Sequence, residues 1–310
     1  MWWYIIGAII ILSALMVVGG AYYAYRQAFY NSTKNREVYY PLSQGPSLQE
    51  QYENFVPVIE ANKLLPYERV FISADDGLRL AGRLYVNDET KPMHILCHGY
   101  RGGGLRDMSG GLNIVMKLGH NALLIDQRAH GLSEGRTITF GIKERYDVLA
   151  WAEYIESRYP SMTISLCGVS MGGATVLMCA DLPLPSNVKC IMADCPYSSV
   201  ELILKKECSQ RKMNPTLVYP LLSLGAKLYG GFEIESASPL KSAPLTYLPT
   251  MIMHGREDEL VPVRMSEDIA SLNDKITLHI FDKAGHGTSY IADMDTYERL
   301  YMQFANQYLK

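Results

Sequence analysis

Ser170 stands in a setting typical of a nucleophilic serine. It lies between Gly168 and Gly172, after an apolar run at 163–167 that predicts a buried strand and before an apolar run at 174–178 that predicts a helix. Glycines are needed at such a strand–turn–helix junction because the turn is strained and the backbones approach closely. The pattern predicts a nucleophile elbow with Ser170 as the nucleophile.

Asp258 and His286 follow the last two apolar runs of the chain. A serine hydroxyl is a weak nucleophile near neutral pH and needs a base, usually a histidine that a carboxylate orients. In an α/β sheet these groups lie on loops at the carboxyl ends of later strands, in the order Ser, Asp, His. Asp258 follows the run at 249–254 and His286 the run at 275–281. We therefore predict Asp258 as the orienting acid and His286 as the base.

Other residues compete for some of these roles. Glu257 and Glu259 flank Asp258 and are alternative acids, and Asp194 at the end of an earlier strand is a third, which we expect to be structural. Ser170 could instead be an ordinary helix N-cap. The strand–turn–helix setting favours the nucleophile.

Polar residues at other strand ends are expected to shape loops. His98 and His254 each stand beside a glycine at the end of a predicted strand, and His130 lies in the segment after the next strand. Asp126 and Arg128 could contact substrate, but we expect them to form a salt-bridged pair within their loop.

The apolar runs alternate with helical patterns over most of the chain. Residues 146–159 have apolar positions at helical spacing, and an Asp-Gly turn at 75–77 joins two strand-like runs. Short runs of this kind suit parallel strands covered on both faces. We predict an antiparallel hairpin that leads into a mostly parallel sheet with helices on both faces. The predicted strands are 71–74, 78–85, 93–98, 121–126, 163–167, 188–193, 249–254 and 275–281.

From about Arg69 to the C-terminus, the chain resembles serine hydrolases of the α/β-hydrolase superfamily, nearest the branch related to prolyl oligopeptidase. The matching elements are His98-Gly99-Tyr100, the segment 126–133, the elbow at 168–172, His254-Gly255 with Asp258 and Val261-Pro262, and Gly285-His286.

This resemblance implies an α/β-hydrolase fold and a serine, histidine and aspartate triad. Ser170 corresponds to the nucleophile, His286 to the general base and acid, and Asp258 to the orienting carboxylate. The backbone N–H groups of Tyr100 and Met171 correspond to the oxyanion donors. This chain has glycines at 102–104 after Arg101, not an uninterrupted His-Gly-Gly-Gly run.

The segment from about 196 to 247 is too long for a plain connection between strands. In the family that the chain resembles, such an insertion forms a helical cap over the nucleophile. The apolar side chains of this segment, Leu221 and Leu222 among them, would then form an acyl-binding wall. The alternative is that these helices pack on the sheet edge.

The N-terminus predicts a membrane helix. Residues 1–25 contain no charged side chain, and aromatic residues at both ends resemble interfacial belts. The run lacks the basic start and the small-residue cleavage site of a signal peptide, so a retained anchor is favoured. Arg26, Lys34 and Arg36 follow the span, which by the positive-inside rule places the hydrolase domain on the cytoplasmic side.

Three regions are expected: an anchor at 1–25, a connector at 26–66 and a hydrolase domain at 67–310. Within the connector we predict a short helix that Pro57 ends or kinks.

Composition and motifs exclude several other classes. The net charge is −3 and no basic stripe occurs, which argues against nucleic acid as a partner. No motif for a metal, a phosphate loop or a dinucleotide is present, so neither a metal nor a cofactor is expected. The six cysteines are expected to be reduced, because those at 97, 167 and 190 lie in predicted core strands.

The expected activity is hydrolysis of a small-molecule carboxylic ester, with thioesters and lipid-derived acyl groups as related substrates. An aminopeptidase or acyl-peptide hydrolase is the alternative within the same enzyme class. A membrane-tethered binding protein on a retired hydrolase fold is the alternative outside it.

Overall fold

A single mixed sheet of eight strands organises the chain. The computed structural model describes residues 2–32 and 49–310. The strand order is β1-β2-β4-β3-β5-β6-β7-β8; β2 runs antiparallel to both β1 and β4, and the other neighbours are parallel. The strands are β1 (Glu68–Ser73), β2 (Arg79–Tyr85), β3 (Met93–Cys97), β4 (Asn121–Asp126), β5 (Ile164–Val169), β6 (Val188–Asp194), β7 (Thr250–Gly255) and β8 (Ile276–Phe281).

Helices cover both faces of this sheet, and the predicted α/β-hydrolase fold is confirmed. The helices are α1 (Trp2–Ala28), α2 (Gln49–Lys63), α3 (Gly104–Lys117), α4 (Glu144–Arg158), α5 (Met171–Met178), α6 (Val200–Gln210), α7 (Pro215–Gly225), α8 (Pro239–Ser242), α9 (Val263–Ala270), α10 (Ser289–Ala292) and α11 (Met294–Tyr308), with a π-helical turn at Ala226–Gly230 and 3₁₀ turns at Cys179–Asp181 and Ala243–Leu245.

The predicted hairpin is the β1–β2 pair. Its turn closes through the Gly77 N–H, which donates to the Ala74 carbonyl at 2.9 Å. Gly77 has a φ of 85°, a conformation that a side chain would disfavour.

The strand order reverses at β3, which lies between β4 and β5. The connections therefore leave a crevice at the carboxyl ends of β3 and β5, the place where open α/β sheets bind their ligands. The loop after β3 carries Tyr100, and the turn after β5 carries Ser170.

Each face of the sheet has its own apolar core. On one face, Trp151 of α4 and Ile269 of α9 pack against the buried side chains of the strands. On the other, α2, α3 and α11 cover the sheet with residues that include Phe55, Leu112 and Tyr301. With both faces covered, the strands carry the continuous apolar runs seen in the sequence.

Helix α1 has two unlike parts. Its residues up to Val18 are almost all exposed and apolar, whereas Ala21, Ala24 and Tyr25 near its C-terminal end are buried. By length and composition it is able to cross a membrane. The helix continues three residues beyond the predicted end of the span at 25.

The connector is only partly described, because residues 33–48 lie outside the described ranges. Its predicted short helix is α2, which continues through Pro57 to Lys63. The helix therefore does not end at Pro57, which was one of the two outcomes predicted for that residue.

Helices α6 and α7 occupy the long segment between β6 and β7. Helix α7 packs on the C-terminal half of α1, where the methyl groups of Leu221 lie against Gly20. A Cβ atom on Gly225 would lie 2.4 Å from the Ala21 carbonyl oxygen, so the two helix backbones approach closely at this glycine.

Candidate active site

Ser170 lies on a strained turn between β5 and α5. Its φ is 55° and its ψ is −115°, and its N–H donates to the Asp194 carbonyl at 2.8 Å. A Cβ atom on Gly168 would lie 2.3 Å from the backbone of Gly172. One on Gly172 would lie 2.1 Å from the Cys97 carbonyl oxygen. Both glycines of the motif are therefore required by backbone contact.

The structure brings Ser170, His286 and Asp258 into one hydrogen-bonded chain. His286 Nε2 lies 2.9 Å from Ser170 Oγ, and His286 Nδ1 lies 2.7 Å from Asp258 Oδ2. Because an ionised carboxylate can only accept, Nδ1 carries the hydrogen and Nε2 is free to accept one from the serine hydroxyl. This is the tautomer that a general base needs.

Asp258 is buried and held in its ionised form. Its Oδ1 accepts the backbone N–H groups of Leu260 and Val261 at 2.9 and 2.7 Å, and its Oδ2 also lies 3.2 Å from His254 Nε2. Burial alone would raise the pKa of Asp258, but hydrogen bonds from His254 and His286 outweigh it and lower the pKa to about 2. The carboxylate is therefore charged throughout the neutral range.

The alternative acids lie elsewhere. Glu257 and Glu259 are exposed at the surface. Asp194 Oδ1 accepts the hydroxyl of Ser289 at 3.2 Å, and burial raises the pKa of Asp194 to about 6. The Asp194 carbonyl also accepts the Ser170 N–H and so fixes the turn at Ser170, which agrees with the structural role expected for Asp194.

The loop after β3 is fixed on both sides of Tyr100. The Gly99 N–H donates to Asp107 Oδ2 at 2.9 Å, and the Arg101 N–H donates to His130 Nε2 at 3.0 Å. Within residues 2–32 and 49–310, the Tyr100 and Met171 N–H groups donate to no acceptor. Both groups remain available to a substrate.

The histidines at strand ends shape loops, as expected. His98 Nε2 accepts the Gln127 N–H, His130 Nε2 accepts the Arg101 N–H, and His254 Nε2 donates to the Val261 carbonyl. Sequence analysis missed Asp107, which holds the loop after β3 from the first turn of α3. Its acidic side chain near a helix N-terminus was the available signal.

Arg128 has partners other than the predicted one. It forms ion pairs with Asp147 at 2.6 Å and with Asp76 at 2.7 Å, whereas Asp126 accepts the Leu132 N–H at 3.0 Å. The expected pair of Arg128 with Asp126 was wrong, because the loop turns the guanidinium toward α4 and the β1–β2 turn.

A cavity of about 270 Å³ opens beside Ser170 and His286. Residues of α3 and α11 form part of its lining. Its walls carry three methionines, Met108, Met192 and Met253, together with aromatic side chains. The aromatic residues that line it are Phe55, Tyr100, Tyr290, Tyr297 and Tyr301.

The predicted acyl-binding wall from the segment 196–247 does not line this cavity. None of the residues around it comes from that segment in the described part of the chain. Leu222 is buried in the cluster that also contains Phe29 and Met171. Apolar side chains of the insertion therefore pack against α1, and the cavity is lined by other parts of the chain, among them α2, α3 and α11.

Cys195, Asp258 and His286 place potential metal ligands within 4.8 Å of one another. Burial raises the pKa of the Cys195 thiol well above its usual range, so the thiolate that a metal requires is disfavoured. His286 Nδ1 and both Asp258 oxygens are already engaged in hydrogen bonds. These residues fit the hydrogen-bonded chain better than a metal centre.

Comparison with known proteins agrees with this architecture. The model of the prolyl oligopeptidase family matches residues 139–310. The uncharacterized protein YqkD of Bacillus subtilis is 24% identical over 260 residues, which are 83% of this chain and 85% of YqkD. The thiohydrolase aneE of Aspergillus aculeatus is 29% identical over 151 residues, which are 47% of this chain and 46% of aneE.

A solved structure is similar over nearly the whole chain. The esterase Pf2001 of Pyrococcus furiosus superposes with a TM-score of 0.66 at 21% identity, covering 91% of this chain and all of the esterase. The family match spans more than half of the residues and includes Ser170, Asp258 and His286. The chain belongs to the prolyl oligopeptidase family of serine hydrolases, with the α/β-hydrolase fold.

Proposed function

We propose that the protein hydrolyses carboxylic esters, and thioesters as related substrates, through an acyl-enzyme formed on Ser170. The observation that carries this proposal is the hydrogen-bonded chain from Ser170 Oγ through His286 to Asp258 at the mouth of an apolar cavity. No cofactor is needed for this reaction.

The proposed reaction has two halves. Ser170 Oγ attacks the carbonyl carbon while His286 Nε2 takes the hydroxyl proton, and the carbonyl oxygen becomes an oxyanion between the Tyr100 and Met171 N–H groups. The bond to the leaving group then breaks as His286 returns the proton to it. Water repeats the sequence on the acyl-enzyme and releases the acid.

The cavity favours an apolar acyl group of modest length. It is near the lower end of ligand pockets, which are about 300 Å³ or larger. Methionine side chains adapt to flexible apolar ligands, and Met108, Met192 and Met253 are among the residues that line the cavity. The names of the esterase Pf2001 and the thiohydrolase aneE agree with hydrolysis of esters or thioesters.

A peptidase is the second candidate, because the family is named for one. The two are separated by assaying matched acyl p-nitrophenyl esters, acyl thioesters and aminoacyl anilides with the same purified chain. We expect kcat/KM to be highest for the esters or thioesters. Preference for the anilides by tenfold or more would favour the peptidase. Absence of turnover on all three by folded protein would favour the binding-protein alternative.

We also propose that α1 is retained as a membrane anchor with the hydrolase domain on the cytoplasmic side. The buried end of α1 supports retention, since cleavage of a signal peptide would remove side chains from the core. All six native cysteines are buried. A Ser186→Cys variant therefore gives one exposed thiol, and its labelling by an impermeant reagent in intact cells would contradict this orientation.

A further inference from the structure

The C-terminal end of α1 is built into the hydrolase domain. Phe29 is fully buried, and its ring makes edge contacts with Phe140 and Phe232 at 5.8 and 5.2 Å. The Ile138 N–H donates to the Phe29 carbonyl at 2.7 Å, and the Asn31 side chain donates to the Ala129 carbonyl. A helix that served only as a tether would not need these contacts.

The last turn of α1 is capped by side chains of the loop after β3 (residues 98–103), named the oxyanion loop here for the donor proposed at Tyr100. The final carbonyls of a helix have no partner within it and need external donors. The Tyr100 hydroxyl donates to the Ala28 carbonyl at 2.7 Å, and the Arg101 guanidinium donates to the carbonyls of Gln27 at 2.8 Å and Tyr30 at 3.0 Å. A cation at this position also suits the negative end of the helix dipole.

The same contacts hold an unfavourable backbone conformation. Arg101 has a φ of 49°, which is uncommon for a residue with a long side chain. Such a conformation persists only where the surroundings impose it. The His130 ring holds the backbone of Arg101, α1 holds its side chain, and the free Tyr100 N–H lies one residue before it.

We infer that the last turn of α1 positions the oxyanion loop, and that the apolar N-terminal helix thereby contributes to catalysis. The side chains of Tyr100 and Arg101 act as positioning groups that fix the Tyr100 N–H toward the developing oxyanion. This inference rests on the proposed function, because it assigns that N–H to the transition state. Displacement of α1 from the domain would then lower turnover without removing any catalytic side chain.

A matched control separates positioning from simple attachment of the helix. Tyr25, on the same helix end, makes a hydroxyl hydrogen bond of the same length, 2.7 Å, but its partner is Thr137 Oγ1. Tyr25→Phe therefore removes one contact between α1 and the domain and leaves the oxyanion loop untouched. Tyr100→Phe removes one contact of the same kind from the loop and keeps the ring that stacks on Phe140.

The experiment uses the full chain in detergent micelles or nanodiscs. Tyr100→Phe, Arg101→Asn and Tyr25→Phe are compared with wild type in kcat, KM and the inhibition constant of an alkyl trifluoromethyl ketone. Asn is chosen at 101 because it tolerates positive φ. In the ketone adduct the serine oxygen bonds to the carbonyl carbon, the carbonyl oxygen becomes the oxyanion, and the serine proton passes to His286. The inhibition constant reports only on correctly folded molecules, so a variant that is partly misfolded does not change its value for that reason.

We expect Tyr100→Phe and Arg101→Asn to lower kcat about five- to tenfold and to weaken the inhibitor by a similar factor. KM should stay within about twofold, because the oxyanion donors act mainly in the transition state. Tyr25→Phe should leave all three values near those of wild type. Equal effects of all three substitutions, or no effect of the two loop variants, would overturn the inference. An inactive wild-type chain would instead contradict the proposed function itself.

Discussion

His286 Nε2 lies 2.9 Å from Ser170 Oγ, although 116 positions separate the two residues in the chain. The contact forms because β5 lies near the centre of the sheet and the loop after β8 returns across the carboxyl ends of the strands. The second ring nitrogen of His286 is held by Asp258. The sheet thus positions a serine, a base and a carboxylate that come from three separate loops.

We expect Asp258→Asn to lower kcat by about 10³- to 10⁴-fold with little change in KM, since the amide no longer holds the required histidine tautomer. Steady-state kinetics on a p-nitrophenyl ester measure this. Glu257→Gln is the control, because Glu257 is an exposed carboxylate next to Asp258. A comparable loss in the Glu257 variant would show that the wrong acid has been assigned.

The cavity is expected to determine acyl length. Gly111 of α3 lines it, and a Cβ atom there would meet nothing nearer than the Met108 methyl group at 3.5 Å. Gly111→Leu should fill the space and lower kcat/KM about tenfold for the longest esters in a series, with less effect on acetate. Leu221→Ala on α7 should leave the chain-length profile unchanged. If Leu221→Ala changed the chain-length profile and Gly111→Leu did not, the acyl group would instead lie against the insertion between β6 and β7.

Phe29→Ala should destabilise the protein by about 3–5 kcal/mol, because it leaves a cavity among well-packed aromatic side chains. Thermal or denaturant unfolding of the full chain measures this. Tyr23→Ala changes an exposed ring on α1, the helix that Phe29 directly follows, and is expected to stay within about 0.5 kcal/mol of wild type. If both variants unfold like wild type, the end of α1 is not part of the folded domain.

Asp194 should make stability depend on pH. Burial raises its pKa from about 3.9 in an unfolded chain to about 6 in the fold. The folded state therefore binds more protons in this window, and stability falls as pH rises from about 4 to about 6. Asp194→Asn cannot ionise, so above pH 7 it should be more stable than wild type by about 1–3 kcal/mol. That advantage should shrink toward pH 4; a constant difference would contradict the assignment.

The fold was predictable because its signals are local. The parallel strands β3 to β7 are almost fully buried and appear as short apolar runs, whereas the edge strand β8 is partly exposed. The Gly-flanked Ser170 and the loops that carry Asp258 and His286 follow from the strand order. Contacts between side chains distant in sequence were not predictable. Asp107 and His130 hold the loop after β3 only because α3 and the loop after β4 pack there.

The contacts of the N-terminal helix were likewise not predictable from the sequence. Its apolar composition predicts a membrane span, but composition does not reveal that Phe29 enters the core or that Tyr100 caps the helix end. The apolar side chains of α7 were predicted to contact substrate because composition alone does not show what a buried face packs against. Their periodicity identifies a buried face, and only the tertiary structure shows that this face covers α1.

The most direct test of the account is reaction of the full-length chain with a fluorophosphonate probe, followed by mass spectrometry to locate the adduct. Residues 1–32 are kept because the end of α1 belongs to the folded domain. The account predicts one adduct on Ser170, none in Ser170→Ala and much slower labelling in Asp258→Asn. Failure of the folded wild-type chain to react, or an adduct on another residue, would contradict the assignment of Ser170 as the nucleophile.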